Sequence, residues 1–286
     1  MPTTQYVPLA PPTVDLTLLL RIIQIGLVCG TLLLTAAHAL FVLWPQLKGE
    51  EIAGLLLQID LGRENNIPTW FATSMLLLCA GLLGLVSAVA IRAAEPYRFH
   101  WLVLAAGFLL LSLDEAASLH EALGRHLEHR ASTAMIAHDG SLLPMITVAG
   151  VVGISFVGFL WRLPNTIRWM MVVAGLLYVG GAVGMEMLEA QEEFITGSES
   201  TPKYFVMVLI EECLEMSGLT LFFHTLVRHL QDRWGTLIIT SSATQHPPES
   251  EHTNKDGSYR KAAQFERRVF TSHIRTADGA APTMPA

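Results

Sequence analysis

Long apolar stretches constrain this chain more than any other feature. They cover roughly residues 21–44, 68–91, 99–120, 144–161, 167–189 and 204–229. A helix that crosses a bilayer takes about 20 mostly apolar residues, and hydrocarbon admits only segments whose backbone hydrogen bonds close internally. The expected fold is therefore all-α, a polytopic bundle of six transmembrane helices. Charged residues make up 15% of the 286, against about 25% in an ordinary soluble chain. The mean hydropathy is +0.44. A net charge of −7 leaves no basic face for a nucleic acid.

Independent marks fall at the ends of these stretches. All six tryptophans, Trp44, Trp70, Trp101, Trp161, Trp169 and Trp234, lie at or near a predicted helix end, as an aromatic belt requires. Pro68, Pro144, Pro164 and Pro202 stand just before or within a first turn, where a missing N–H costs nothing. Ser200 or Thr201 is placed to cap the last helix. Orientation follows from the basic residues. Arg21, Arg92, Arg98, Arg162, Arg168, Arg228 and Arg233 share one side if both termini are inside, which predicts an inner-membrane protein with cytoplasmic termini and an external 120–140 loop.

The expected organisation is a short cytoplasmic segment over 1–20, the helical domain over 21–230, and a polar cytoplasmic tail without regular structure over 231–286. Seven basic and six acidic residues nearly cancel in that tail, so it is no polybasic lipid tether. Residues 52–61 suit a short interfacial helix or a plain loop. Arg21, the apolar run 22–34 and Ala37-His38-Ala39 also fit a signal peptide with an A-x-A cleavage site. The absence of basic residues in 1–20 and the continuation of the apolar run through 40–44 favour a retained helix. Cys29, Cys79 and Cys213 all fall inside spans and form no spaced motif.

Chemistry concentrates in three acidic segments. Residues 112–121 read SLDEAASLHE, residues 184–193 read GMEMLEAQEE, and residues 211–218 read EECLEMSG. The predicted topology puts all three in the outer half of the membrane. At about 100° per residue, Asp114, Ser118 and Glu121 share a helix face, Glu115 flanks it, and His120 points roughly 120° away. Glu186, Glu189 and Glu193 form a stripe, and Glu211, Glu212 and Glu215 span a narrow arc with Glu215 deepest. Without the eight acids Asp114, Glu115, Glu121, Glu186, Glu189, Glu211, Glu212 and Glu215, the net charge of −7 would become +1.

An acid at the centre of a membrane helix costs about 2.5 kcal/mol even on a lenient scale. Buried acids must pair, bind a cation or keep a proton. The basic residues within the predicted spans, Arg21, Arg168 and Arg228, stand at their inner ends, away from the acids, and Arg125, Arg130 and Lys203 reach only the outer rim. The expected metal set is Asp114, Glu115, His120, Glu121, Glu186, Glu211 and Glu215 around a divalent cation, with Glu215 and Glu212 in catalysis. Glu189, Glu192 and Glu193 are expected at the edge, solvated by headgroups. His38, His126, His129 and His138 are expected on the outer side, where solvation is the expected role although a histidine-bearing loop can recruit metal, and His224 and His229 are expected to be structural. Gly180 and Gly184 serve close helix packing.

The Glu211-Glu212 pair followed by Phe223-His224 is similar to the CPBP-type intramembrane metalloproteases. Met216 stands where that family has arginine, however, and no later span carries its second histidine motif. Ser112, Asp114 and His120 resemble the ceramidase-like hydrolases, but the paired histidines of that family are missing. None of the predicted spans carries the Glu-x-x-His pair of a carboxylate di-metal oxidase. Three functions remain. The first is a metal-dependent hydrolase acting on a lipid or membrane peptide, and the second a transporter or sensor of divalent cations or protons. The third is a non-catalytic subunit whose acids share protons. The absence of a repeat favours the enzyme over a carrier.

Overall fold

The computed structural model describes residues 13–120, 122–123, 142–235, 237–241 and 272–276. The chain divides into two compact units, residues 21–230 and residues 1–20 with 231–286.

Among the described residues, four helical stretches are long and apolar enough to cross a membrane, as the spans of a multi-pass membrane protein are. The first runs unbroken from Leu16 to Leu47. It comprises α1 (Leu16–His38), a π-helical turn (Ala39–Leu43) and α2 (Trp44–Leu47). The wide turn lies just before Pro45, whose ring crowds the carbonyl four residues earlier and which has no N–H to give. The second and third are α3 (Ile67–Arg92) and α4 (Arg98–Ala117). The fourth, Asn165–Thr196, joins α6 (Asn165–Val179), a π-helical turn (Gly180–Met185) and α7 (Glu186–Thr196).

The sequence predicts six spans, and four meet that expectation. The other two segments are also helical, as α5 (Leu142–Arg162) and α8 (Pro202–Trp234). Ile146–Arg162 is a shorter apolar helix, and Glu211, Glu212 and Glu215 interrupt the apolar run of α8. Ile22, Leu32 and Leu33 on α1, Leu110 on α4, Ile154 on α5 and Leu176 on α6 are exposed. So much outward apolar surface suits lipid rather than water.

Caps and turns follow local chemistry. Asn66 caps α3 by accepting from the Thr69 N–H at 3.1 Å, with Pro68 in the first turn. Thr201 caps α8 through the Tyr204 N–H at 3.1 Å. Gly197 ends α7 at φ 68, where a side chain would strain the left-handed backbone.

The core is built from Met75, Leu76, Cys79, Leu83 and Val86 of α3 and Met216, Leu219, Phe223, Leu226 and Leu230 of α8. His224 meets the Gln24 amide at 2.6 Å, and His229 stacks on Trp101 at 4.9 Å between ring centres. Both histidines are structural, as the sequence predicts. His38 is not in a solvated loop. It lies within the long first helix, 2% exposed, where its Nδ1 accepts from the Leu61 N–H at 3.0 Å. Asp60 sits 3.6 Å from the same nitrogen, and the Asn66 amide donates to the Asp60 carbonyl at 2.6 Å. These bonds tie down the segment after the 3-10 helix Gly54–Ile59, which is the regular structure found within 52–61. Ala37-His38-Ala39 likewise sits inside continuous helix.

In the other unit, β1 (Thr13–Asp15), β2 (Leu237–Ser241) and β3 (Ser272–Thr276) form an antiparallel sheet in that order. Thr13 pairs with Thr240, and Ile239 with Ile274. The apolar Leu-Ile-Ile run of β2 favours a strand within a segment that reads as polar overall.

Candidate functional site

α4 contributes Asp114 and Glu115, and the turn that follows it brings in His120. Ser112, 5% exposed, donates to the Thr73 carbonyl at 3.0 Å and fixes α4 against α3 just before the acids. Helical geometry stops at Ala117, because Ser118 takes the left-handed conformation at φ 49. A face assignment at about 100° per residue therefore fails beyond that point, and His120 turns back onto Asp114. Its backbone N–H donates to Asp114 Oδ1 at 2.8 Å, and Nδ1 lies 3.0 Å from Oδ2. Burial disfavours the charged imidazole, but the Asp114 carboxylate outweighs it and holds the His120 pKa above its ordinary value. Glu121 and His126, His129 and His138 lie outside the described residues.

α7 follows directly from the π-helical turn, a feature often found at functional positions. It carries Glu186 and Glu189 in its first turn. The sequence predicts edge positions for Glu189 and Glu192. Both are buried instead, at 7% and 8% exposed. Glu192 is satisfied by Lys203 at 2.6 Å and Thr201 at 3.1 Å, where the start of α8 folds over it. Glu189 lies beside Glu211, and its Oε1 is a buried atom with no hydrogen-bond partner.

α8 supplies Glu211, Glu212 and Glu215, all half-buried. It lies beside α4, where Phe108 stacks on Phe222 at 4.6 Å between centres. It lies equally close to the fourth long helix. A Cβ on Gly181 would stand 2.7 Å from Glu215 Cγ and 2.8 Å from the Glu211 carbonyl oxygen. One on Gly218 would stand 2.7 Å from the Tyr178 nitrogen and 2.9 Å from the Ala174 oxygen. The glycines that allow this approach are Gly181 and Gly218. Gly180 and Gly184, which the sequence singles out, have no such neighbour within 4 Å, because the π turn rotates them off the shared face.

The three acidic segments therefore meet. Glu115 interacts electrostatically with Asp114, His120 and Glu211, and Glu215 with Glu212, Glu211, Glu115 and Glu186. Asp114, Glu115, His120, Glu186, Glu211, Glu212 and Glu215 all line one cavity of about 1590 Å³. Leu104, Phe108, Val148, Val152 and Phe156 of α4 and α5 form an apolar flank of the same cavity. Sequence reasoning misses Glu64, Tyr178 and Tyr204, which also line it. Glu64 acts on His120 and Glu212 from the loop that His38 anchors, and no spacing pattern links that loop to the helices. Among the described residues, no group of three or more His, Cys, Asp or Glu side chains is arranged to hold a metal ion.

Residues 26–230 match the family described as a domain of unknown function (DUF8692), and the chain belongs to that family. No curated protein and no solved structure matches it.

Proposed function

We propose that this protein is a six-helix enzyme of the inner membrane that uses a divalent cation to hydrolyse an amphiphile, a lipid or a membrane peptide, at the outer leaflet. The observation that carries this reading is the cavity of about 1590 Å³, which joins carboxylates from α4, α7 and α8 to an apolar flank. Ordinary small-molecule pockets hold roughly 300–1,000 Å³, so a chain-bearing substrate suits the larger space.

By type the donors suit a hard cation, which would have to draw together side chains that are not gathered around one point among the described residues. Asp114, Glu115, Glu186, Glu211 and Glu215 offer oxygens and His120 one nitrogen, a set that suits Mg²⁺, Mn²⁺ or Ca²⁺. Glu121 completes the set in sequence. The unsatisfied Glu189 Oε1 is the kind of buried atom that a cation neutralises. A bound divalent cation supplies Lewis-acid polarisation of a carbonyl. Glu212 takes the proton of the attacking water, the apolar flank holds the chain of the substrate, and Glu215 anchors the deep end of the site.

The direct test strips the purified protein with EDTA and assays acyl-ester and acyl-amide amphiphiles before and after Mn²⁺ is restored. Hydrolysis that vanishes and returns supports the reading; turnover indifferent to chelation ends the metal role. One observation favours a second reading. Glu189 and Glu211 approach each other from neighbouring helices, a juxtaposition that also suits a proton or cation transporter, and transport by proteoliposomes without hydrolysis would identify it.

Both termini are assigned to the cytoplasm, on the arginines of the short connections. A reporter fused after Arg233 is expected to behave as cytoplasmic. External activity would reverse the sidedness and move the acidic cavity to the inner leaflet.

A further inference from the structure

We propose that the α3–α4 and α5–α6 connections together form a binding site for the headgroup of an anionic phospholipid. The two connections read Arg92-Ala-Ala-Glu-Pro-Tyr-Arg98 and Arg162-Leu-Pro-Asn-Thr-Ile-Arg168. Each holds two arginines six residues apart, and Glu95 is the one acid in either. α3 ends on Arg92, α4 starts on Arg98, α5 ends on Arg162, and Arg168 stands in the first turn of α6. The helix dipole disfavours a cation at a helix start, so the stability of α4 and α6 does not account for Arg98 and Arg168.

The fold brings the two connections together. The Arg162 guanidinium lies 5.8 Å from the centre of the Tyr97 ring, and that ring lies 6.4 Å from Phe159. Arg168 lies over Trp161 at 4.8 Å and donates to its carbonyl at 3.4 Å. Arg98 lies over Phe99 at 5.2 Å. An aromatic face orients a guanidinium group but leaves its charge uncancelled. Among the described residues, no carboxylate comes within ion-pair distance of Arg92, Arg98, Arg162 or Arg168. The charge stays available to a ligand, and the fork of a guanidinium matches two phosphate oxygens at once. Phe99, Trp161 and Trp169 are exposed around these arginines, and such rings settle at headgroup depth. The anion at that depth is a lipid phosphate. A choline headgroup brings its own cation, which four arginines repel, so the headgroup is one of net negative charge.

The test measures saturable binding of dioleoyl phosphatidylglycerol and dioleoyl phosphatidylcholine to the full chain in a neutral maltoside detergent. The acyl chains are constant, so differences report the headgroup. An arginine at an anionic surface is worth about fivefold in binding. Arg162→Gln combined with Arg168→Gln is therefore expected to weaken phosphatidylglycerol about 25-fold and phosphatidylcholine far less. In the wild type, phosphatidylglycerol is expected to bind tighter than phosphatidylcholine by at least that factor. Lys48 lies over Trp44 at 5.0 Å, just past the first long helix, and provides a matched control. Lys48→Gln is expected to leave both lipids unchanged. Equal binding of the two lipids by the wild type overturns the site, and that comparison stands even if the double variant fails to fold. Undiminished binding by a folded double variant overturns it as well. An equal loss with Lys48→Gln does the same, because the attraction then belongs to the whole surface.

Discussion

Glu215→Gln is expected to abolish stoichiometric Mn²⁺ binding and amphiphile hydrolysis while the helical bundle stays folded. Glu215 packs where α8 meets the π turn of the fourth long helix, close to Gly181. The amide has nearly the shape of the carboxyl, so this packing survives. The ionisable carboxyl does not survive, and Glu215 interacts with Glu212, Glu211, Glu115 and Glu186 at once. Loss of a residue that merely orients a metal ligand costs about 10–100-fold in affinity; loss of a ligand should exceed that. Metal content of wild type and variant, purified side by side, gives the answer. If the acids only share protons, the same substitution removes a buried ionisable group and raises thermal stability. A variant that melts higher and works normally would end the case for a cation site.

Much of that site is legible in the amino-acid sequence alone. Segments 112–121, 184–193 and 211–218 are acidic inside apolar surroundings, and the predicted topology puts them in one layer. Helical periodicity holds along α8, where Glu211, Glu212 and Glu215 all face the cavity. It fails where the backbone leaves the regular helix. Ser118 turns left-handed and brings His120 onto Asp114, and neither serine nor its neighbours announces that turn. The π turn at Gly180–Met185 shifts the helical phase, which moves the packing role from Gly180 and Gly184 to Gly181. The burial of Glu189 and Glu192 depends on contacts with α8, which are long-range and leave no local signal. The same is true of Glu64, held in place by a loop whose anchor, His38, reads from sequence as part of a cleavage motif.

Gly218→Ala is expected to lower the melting temperature sharply, and Gly184→Ala to leave it unchanged or raise it slightly. The added methyl at Gly218 would meet the Tyr178 nitrogen at 2.7 Å and the Ala174 oxygen at 2.9 Å. Both are backbone atoms, so relief requires α6 and α8 to move apart rather than a side chain to turn. Overpacking of this kind costs about 1–3 kcal/mol, a fall of roughly 2–12 °C for a domain of this size. At Gly184 a methyl meets nothing within 4 Å, and alanine favours the helix over glycine by up to about 1 kcal/mol. Function should follow the same division. Separating α6 from α8 displaces Tyr178 and loosens the Gly181 contact that seats Glu215, so Gly218→Ala weakens cation binding even below its melting temperature. Melting curves and Mn²⁺ titrations of both variants decide the matter. A destabilised Gly184→Ala beside an unaffected Gly218→Ala would mean that the two helices pack through the other glycine face.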